Sequence, residues 1–224
     1  MASAQRAQTD FCEADLDTSK GIIIFIRHGQ TDWNTLGKLQ GREEIPLNEK
    51  GLLQAELAAR GLSEFCKKTG FKFTKVISSP LSRASVTGKM IADAVGCDTF
   101  LCDERLLERD FGIMSGKPYD RASRYIVGDA PEIPSIEGAC SIVKRVGSFI
   151  SDHASVNDRI LCVTHGAVAR IFADNAKKAP GFEITAPFLE NCNLVIYSYD
   201  GGEAVLQGYN VSPCDLEKFF YEGI

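Results

Sequence analysis

Short apolar runs rich in β-branched residues alternate along this chain with longer stretches of helical period, and that alternation constrains the fold more than any other feature. Gly21 to Ile26, "GIIIFI", reads as a buried strand, and "FTKVISS" and "RILCVTHG" repeat the pattern. A short strand is expected near Cys97 to Cys102. Between them, "LNEKGLLQAELAARGLSEFCKK" places Leu53, Leu57, Ala58 and Leu62 at helical spacing behind an N-capping Asn48. "PLSRASVTGKMIADAVG" reads as a helix with Pro80 in its first turn and Gly96 at its end. "EGACSIVKRVGSFISDH" has helical period in Val143, Val146, Phe149 and Ile150, and "AVARIFADNAKK" follows as a further helix. "NLVIYSYD" and "EAVLQGYN", joined by "GG", read as a closing pair of strands. Gly112 to Pro134 reads as loop with one short helix. The fold class is therefore α/β: a three-layer α/β/α sandwich around a mostly parallel central sheet.

The 224 residues suit one α/β domain, expected over residues 21–224, after a polar, aperiodic and flexible lead-in over residues 1–20. A net charge of −5 argues against a nucleic-acid partner. The apolar run at Gly21 is too short to span a bilayer, and the N-terminus has no apolar core of a secretory signal. Eight dispersed cysteines without a C-x-x-C pair read as reduced, mostly buried thiols of a cytoplasmic protein.

Three strand ends share a pattern: "RHG" at 27–29, "SSPLSR" at 78–83 and "THG" at 164–166. In a parallel sheet these ends lie on one edge, where ligands bind. His28, Arg83 and His165 then converge beside Arg27, although the histidines lie far apart in the chain. Arginine forks and imidazoles make a donor-rich pocket suited to a tetrahedral phosphoryl anion. A neutral imidazole can attack phosphorus if one ring nitrogen is free and the other is held by an acceptor, for which a backbone carbonyl in the turn after Gly29 would serve. A proton donor for the leaving oxygen is also required. Glu108, in "LLERDFGIMSGK", fits if it is shielded from water, and is otherwise a solvated loop charge beside Arg109.

"RHGQTDWN", "LQGREEIPLNEKG", "SSPLSRASVT", "LLERDFG" and "VTHG" occur in this order, and from about Gly21 to Asp200 the chain resembles the histidine phosphatase superfamily, which includes cofactor-dependent phosphoglycerate mutases and fructose-2,6-bisphosphatases. The resemblance implies that His28 is phosphorylated, that Arg27, Arg83 and His165 hold the phosphoryl group, and that Glu108 is the general acid and then the base. Asn34 and Gln40 match positions that line the same pocket, with Thr31 in support. It implies no metal and no cofactor.

Two departures bear on the reaction. Gly138 in "SIEGACSIVKRV" stands where many members carry the serine of "GGES". Mutases usually read "HGN" where this chain has Ala167, and carry a longer insert between the acid and the second histidine. The short insert leaves fewer groups to grip a phosphorylated intermediate and favours transfer to water: a phosphomonoesterase acting on a small phosphorylated metabolite, as monomer or homodimer. A cofactor-dependent phosphoglycerate mutase and an inactive phospho-ligand-binding scaffold are the alternatives. His153 reads as a surface residue, Trp33 as rim packing, Arg42 and Glu43 as loop charges that reach substrate or solvent, and Lys117 and Arg121 as a cationic lid. Phe219, Phe220 and Tyr221 dock on the body or on a second subunit.

Overall fold

A computed structural model of the chain describes residues 10–11, 19–119 and 135–221. The strands are β1 (Asp10–Phe11), β2 (Gly21–Arg27), β3 (Lys75–Ser78), β4 (Phe100–Cys102), β5 (Arg159–Thr164), β6 (Lys177–Lys178), β7 (Leu194–Tyr199) and β8 (Ala204–Val211). They form one sheet in the order β1-β8-β7-β2-β5-β3-β4, with β6 beside β8. β2, β5, β3 and β4 are parallel neighbours, while β7 runs antiparallel between β2 and β8. Within the lead-in, Asp10–Phe11 pairs with Tyr209 and Gly208 of β8, and residues 1–9 and 12–18 lie outside the described residues.

The helices are α1 (Asp32–Thr35), α2 (Glu49–Thr69), α3 (Ser82–Val95), α4 (Ala139–His153), α5 (Gly166–Asn175) and α6 (Leu216–Tyr221). The unbroken apolar run of β2 is buried on both faces because helices cover both. Ile22, Ile24 and Ile26 face α2, α3 and α6 in one core; Ile23 and Phe25 face α4 and α5 in the other. These are the three layers the alternation implies.

Two helices depart from the sequence reading. Leu53 and Leu57 of α2 are 54% and 41% exposed, and the buried stripe is Gly51, Ala55, Ala58, Ala59, Leu62 and Phe65. Small residues on that stripe let the helix backbone close on its neighbours, and the leucines lie off it by a fraction of a turn. Asn48 caps this helix, its side chain accepting from the Gly51 amide at 2.9 Å. Pro80 precedes α3 rather than opening it, because Leu81 is the N-cap; Gly96 ends the helix in a left-handed conformation.

Cys162 and Cys192 are buried, but Cys102, Cys140 and Cys214 are exposed, against the expectation of mostly buried thiols; Cys12 lies outside the described residues. Phe220 packs against Phe65 and Phe71, so this part of the C-terminus docks on the body. Of the 112–134 segment, Gly112–Met114 forms a 3-10 turn, and residues 120–134 lie outside the described residues. No helix among the described residues is long and apolar enough to cross a membrane.

Candidate active site

Parallel pairing brings the motif-bearing strand ends together. Arg27 is paired with Thr164 across β2 and β5, and Ser78 with Val163 across β3 and β5. The next residues, His28, His165 and Ser79, therefore meet at one sheet edge. The His28 amide still donates to the Thr164 carbonyl, at 3.1 Å. The two imidazoles lie edge to face with ring centroids 5.1 Å apart.

Each cationic or imidazole group is anchored by part of its donor set. The Nδ1 of His28 lies 2.6 Å from the Gly29 carbonyl, and Nδ1–H is the donor because a carbonyl only accepts. This tautomer leaves Nε2 with its lone pair. Arg83, wholly buried in the first turn of α3, spends Nη1 on the Glu43 carbonyl at 2.7 Å and Nη2 on the Gly41 carbonyl at 2.8 Å. Arg27 spends Nη1 on the Leu189 carbonyl at 2.7 Å. His165 meets the Ser79 hydroxyl through Nε2 at 2.8 Å. What remains is Arg27 Nε, Arg83 Nε and His165 Nδ1, all buried and all without a hydrogen-bonding partner. Each such orphan costs about 1–3 kcal/mol unless an acceptor arrives.

Burial and charge set the protonation states. Burial, then the Arg83 and Arg27 charges, hold His28 well below the ordinary imidazole range; the Gly29 bond opposes this but does not prevail. Burial and Arg83 do the same to His165. Glu108 moves the other way: burial raises its carboxyl above the ordinary range, against the Arg109 amide at 2.8 Å and the Arg83, Arg27 and Arg145 charges. The site thus holds neutral imidazoles and a protonatable carboxyl together, the separation that acid–base chemistry requires.

A cleft of about 570 Å³ opens onto this edge, lined by Arg27, His28, Asn34, Gln40 and Glu108 among the expected residues. Arg83, His165 and Thr31 are wholly buried and lie outside its lining. The Thr31 amide donates to the side-chain oxygen of Asn34 at 3.1 Å, and its hydroxyl donates to that of Gln40 at 2.9 Å. With both oxygens engaged, the two amides keep their NH2 ends as donors.

Several lining residues escaped the sequence reading: Lys38, Lys50, Tyr119, Phe188 and Asn191. Lys50 sits inside a quoted motif and Lys38 directly before the same one, so proximity in sequence could have found them. Asn191, whose side chain donates to the His28 carbonyl at 2.8 Å, comes from a loop with no pattern of its own. Arg42, Glu43, Trp33 and Lys117 do not line the cleft. Arg42 instead pairs with Glu137 at 3.6 Å, Lys38 lies over the Trp33 ring, and Arg121 lies outside the described residues. His153 is half-buried against Asp103 at 3.1 Å rather than free on the surface. No group of three or more His, Cys, Asp or Glu side chains able to hold a metal ion occurs among the described residues.

Comparison with known proteins gives the family and the fold. The chain is 29% identical over 200 residues to a probable phosphoglycerate mutase of Enterobacter sp. (strain 638), covering 84% of this chain and 90% of that one. It is 29% identical to phosphoglycerate mutase-like protein 4 of Arabidopsis thaliana, covering 96% of each. Among solved structures, a mycobacterial glucosyl-3-phosphoglycerate phosphatase superposes with a TM-score of 0.69 at 21% identity, over 86% of this chain and all of that one. A phosphoserine phosphatase from Entamoeba histolytica gives 0.62 at 25% identity, over 87% and 99%. The family model of the histidine phosphatase superfamily, branch 1, matches residues 23–212, and the chain belongs to that superfamily.

Proposed function

We propose that the protein is a phosphomonoesterase that hydrolyses a small phosphorylated metabolite through a phosphohistidine on His28. The observation that carries this reading is the set of buried donors without partners, Arg27 Nε, Arg83 Nε and His165 Nδ1, gathered around an imidazole with a free Nε2. A phosphoryl group has the charge and the oxygens to satisfy all three. In the tautomer where the Ser79 hydroxyl donates to Nε2 of His165, Nδ1–H is such a donor.

In the first step the Nε2 lone pair of His28 attacks phosphorus, the ester P–O bond breaks, and the leaving oxygen takes the proton of Glu108. In the second, water attacks the phosphohistidine, its proton passes to the Glu108 carboxylate, and the N–P bond breaks to release inorganic phosphate and restore both groups. Glu108 returns to its starting state, as the two-step scheme demands. Charge spread over three equatorial oxygens is met by fixed donors that need no reorganisation. The NH2 ends of Asn34 and Gln40 add donors at the cleft. His28 is neutral and nucleophilic at neutral pH because burial keeps a proton off it.

The names of the relatives make a cofactor-dependent mutase the second reading. Ala167, on the cleft wall, offers no polar group with which to hold a phosphorylated intermediate for return transfer, and this favours water as acceptor. The test is phosphate release by purified protein in chelator from p-nitrophenyl phosphate, 3-phosphoglycerate and 2,3-bisphosphoglycerate, beside His28→Ala and a coupled mutase assay. Chelator-resistant release that vanishes in the variant is the expected result; bisphosphoglycerate-dependent isomerisation without release would replace this reading with the mutase.

A further inference from the structure

Glu108 stands in a segment with no regular secondary structure, between the 3-10 turns Glu104–Leu106 and Gly112–Met114. Such a segment has no backbone ladder to fix it, yet general-acid chemistry tolerates little misplacement: about 1 Å can cost roughly 100-fold in rate. The segment is held instead by side chains from elsewhere. Thr164, at the end of β5, donates to the Leu106 carbonyl at 2.9 Å. Arg145, on α4, donates through Nη1 to the Arg105 carbonyl, and through Nε and Nη2 to the Glu137 carboxylate at 2.8 and 3.1 Å. Glu137 then reaches the other side of Glu108. Its carboxylate accepts from the Asp110 amide at 3.2 Å, its amide donates to the Asp110 carbonyl at 2.8 Å, and its carbonyl accepts from Arg109 Nε at 2.7 Å.

We infer that the Glu137–Arg145 pair is a positioning device for the general acid, clamping the chain three residues before Glu108 and two residues after it. The inference rests on the phosphatase reading, since it gives Glu108 that role. Both side chains are largely buried, at 9% and 14% exposure, so the pair is shielded from the solvent screening that weakens surface ion pairs. Neither residue lines the cleft. The planar guanidinium fork is essential to the device: one arginine bonds a carbonyl and a carboxylate in fixed directions, which a lysine ammonium does not reproduce.

A positioning defect at the acid has a signature that loss of folding lacks. p-Nitrophenolate is a good leaving group and departs without protonation, whereas phenolate, from a weak acid with a pKa of about 10 like tyrosine, benefits from a donor. For Arg145→Lys and Glu137→Gln, kcat/KM with phenyl phosphate is expected to fall about 10- to 100-fold, and with p-nitrophenyl phosphate less than about 3-fold. Glu108→Gln sets the limiting selectivity. Adding Arg145→Lys to it should change selectivity no further, because residues acting as a unit are not additive. Equal losses on both esters, or no loss on either, would overturn the inference. Absence of ester hydrolysis by the wild-type protein would overturn the phosphatase reading itself, a separate outcome from the former two.

Discussion

Replacing Gly51 by alanine sets a general rule against a specific contact. In a helix this change ordinarily stabilises by about 0.5–1 kcal/mol, because glycine has the most backbone freedom to lose. Gly51 is in the first turn of α2, and a Cβ built there would stand 2.0 Å from the Gln30 carbonyl oxygen and 2.8 Å from the Gln30 carbon and nitrogen. Those are backbone atoms and no rotamer relieves the clash, so the turn or the helix must move by roughly 1 Å. Overpacking of this kind costs about 1–3 kcal/mol. The backbone clash outweighs the propensity gain, leaving a net loss of about 1 kcal/mol. For a chain of this size each kcal/mol lowers Tm by about 2–4 °C, so a fall of about that size is expected. The same displacement carries Gly29, whose carbonyl fixes the tautomer of His28 at 2.6 Å, so phosphatase activity should fall about 100-fold. Gly147→Ala in α4 is the control, since nothing lies within 4 Å of its Cβ position; it should match or exceed wild-type Tm with full activity. Thermal unfolding and steady-state hydrolysis of both variants decide the matter, and a Gly51→Ala protein as stable as Gly147→Ala would refute the reasoning.

Arg83→Lys removes the fork that bonds Gly41 and Glu43 together with the buried, unpartnered Nε, and should cut kcat/KM by about 100-fold or more, measured as phosphate release. Ser79→Ala deletes the hydroxyl at Nε2 of His165; a hydrogen bond of about 0.5–1.5 kcal/mol corresponds to a loss of roughly 2- to 12-fold in kcat/KM, with His28 still able to be phosphorylated. The pH profile with phenyl phosphate, corrected for the substrate's own ionisation near about 6, should rise only below the ordinary histidine range, where His28 sheds its proton. It should fall as pH climbs through the raised pKa of Glu108. Stability moves with the same groups: folded His28 and His165 bind protons less readily than when unfolded, so Tm should drop as pH falls below about 6.5.

The strands and layers were legible because burial on both sheet faces writes an unbroken apolar run, as in Ile22 to Ile26. Helix faces were less so. Leu53 and Leu57 outweigh Ala55 and Ala59 in any hydrophobic count, yet the alanines face inward because the interface is close rather than greasy. His28, Arg83 and His165 could be placed from topology alone, since residues following paired parallel strands must meet. Glu108 could not: its segment is held by Arg145 of α4 and by Glu137 just before that helix, and no local pattern around "LLERDFG" encodes them. Asn191 and Ser79 escaped notice for the same reason, each acting through a contact long in sequence.

The central claim is that the phosphoryl group passes through His28. Rapid-quench mixing with p-nitrophenyl phosphate, followed by digestion under alkaline conditions and mass spectrometry, tests it most directly. An acid-labile phosphate on the peptide holding Arg27, His28 and Gly29, absent from His28→Ala and decaying at the rate of turnover, is the expected result. Turnover with no phosphorylated peptide at any quench time, or with the phosphate on another residue, would contradict the account.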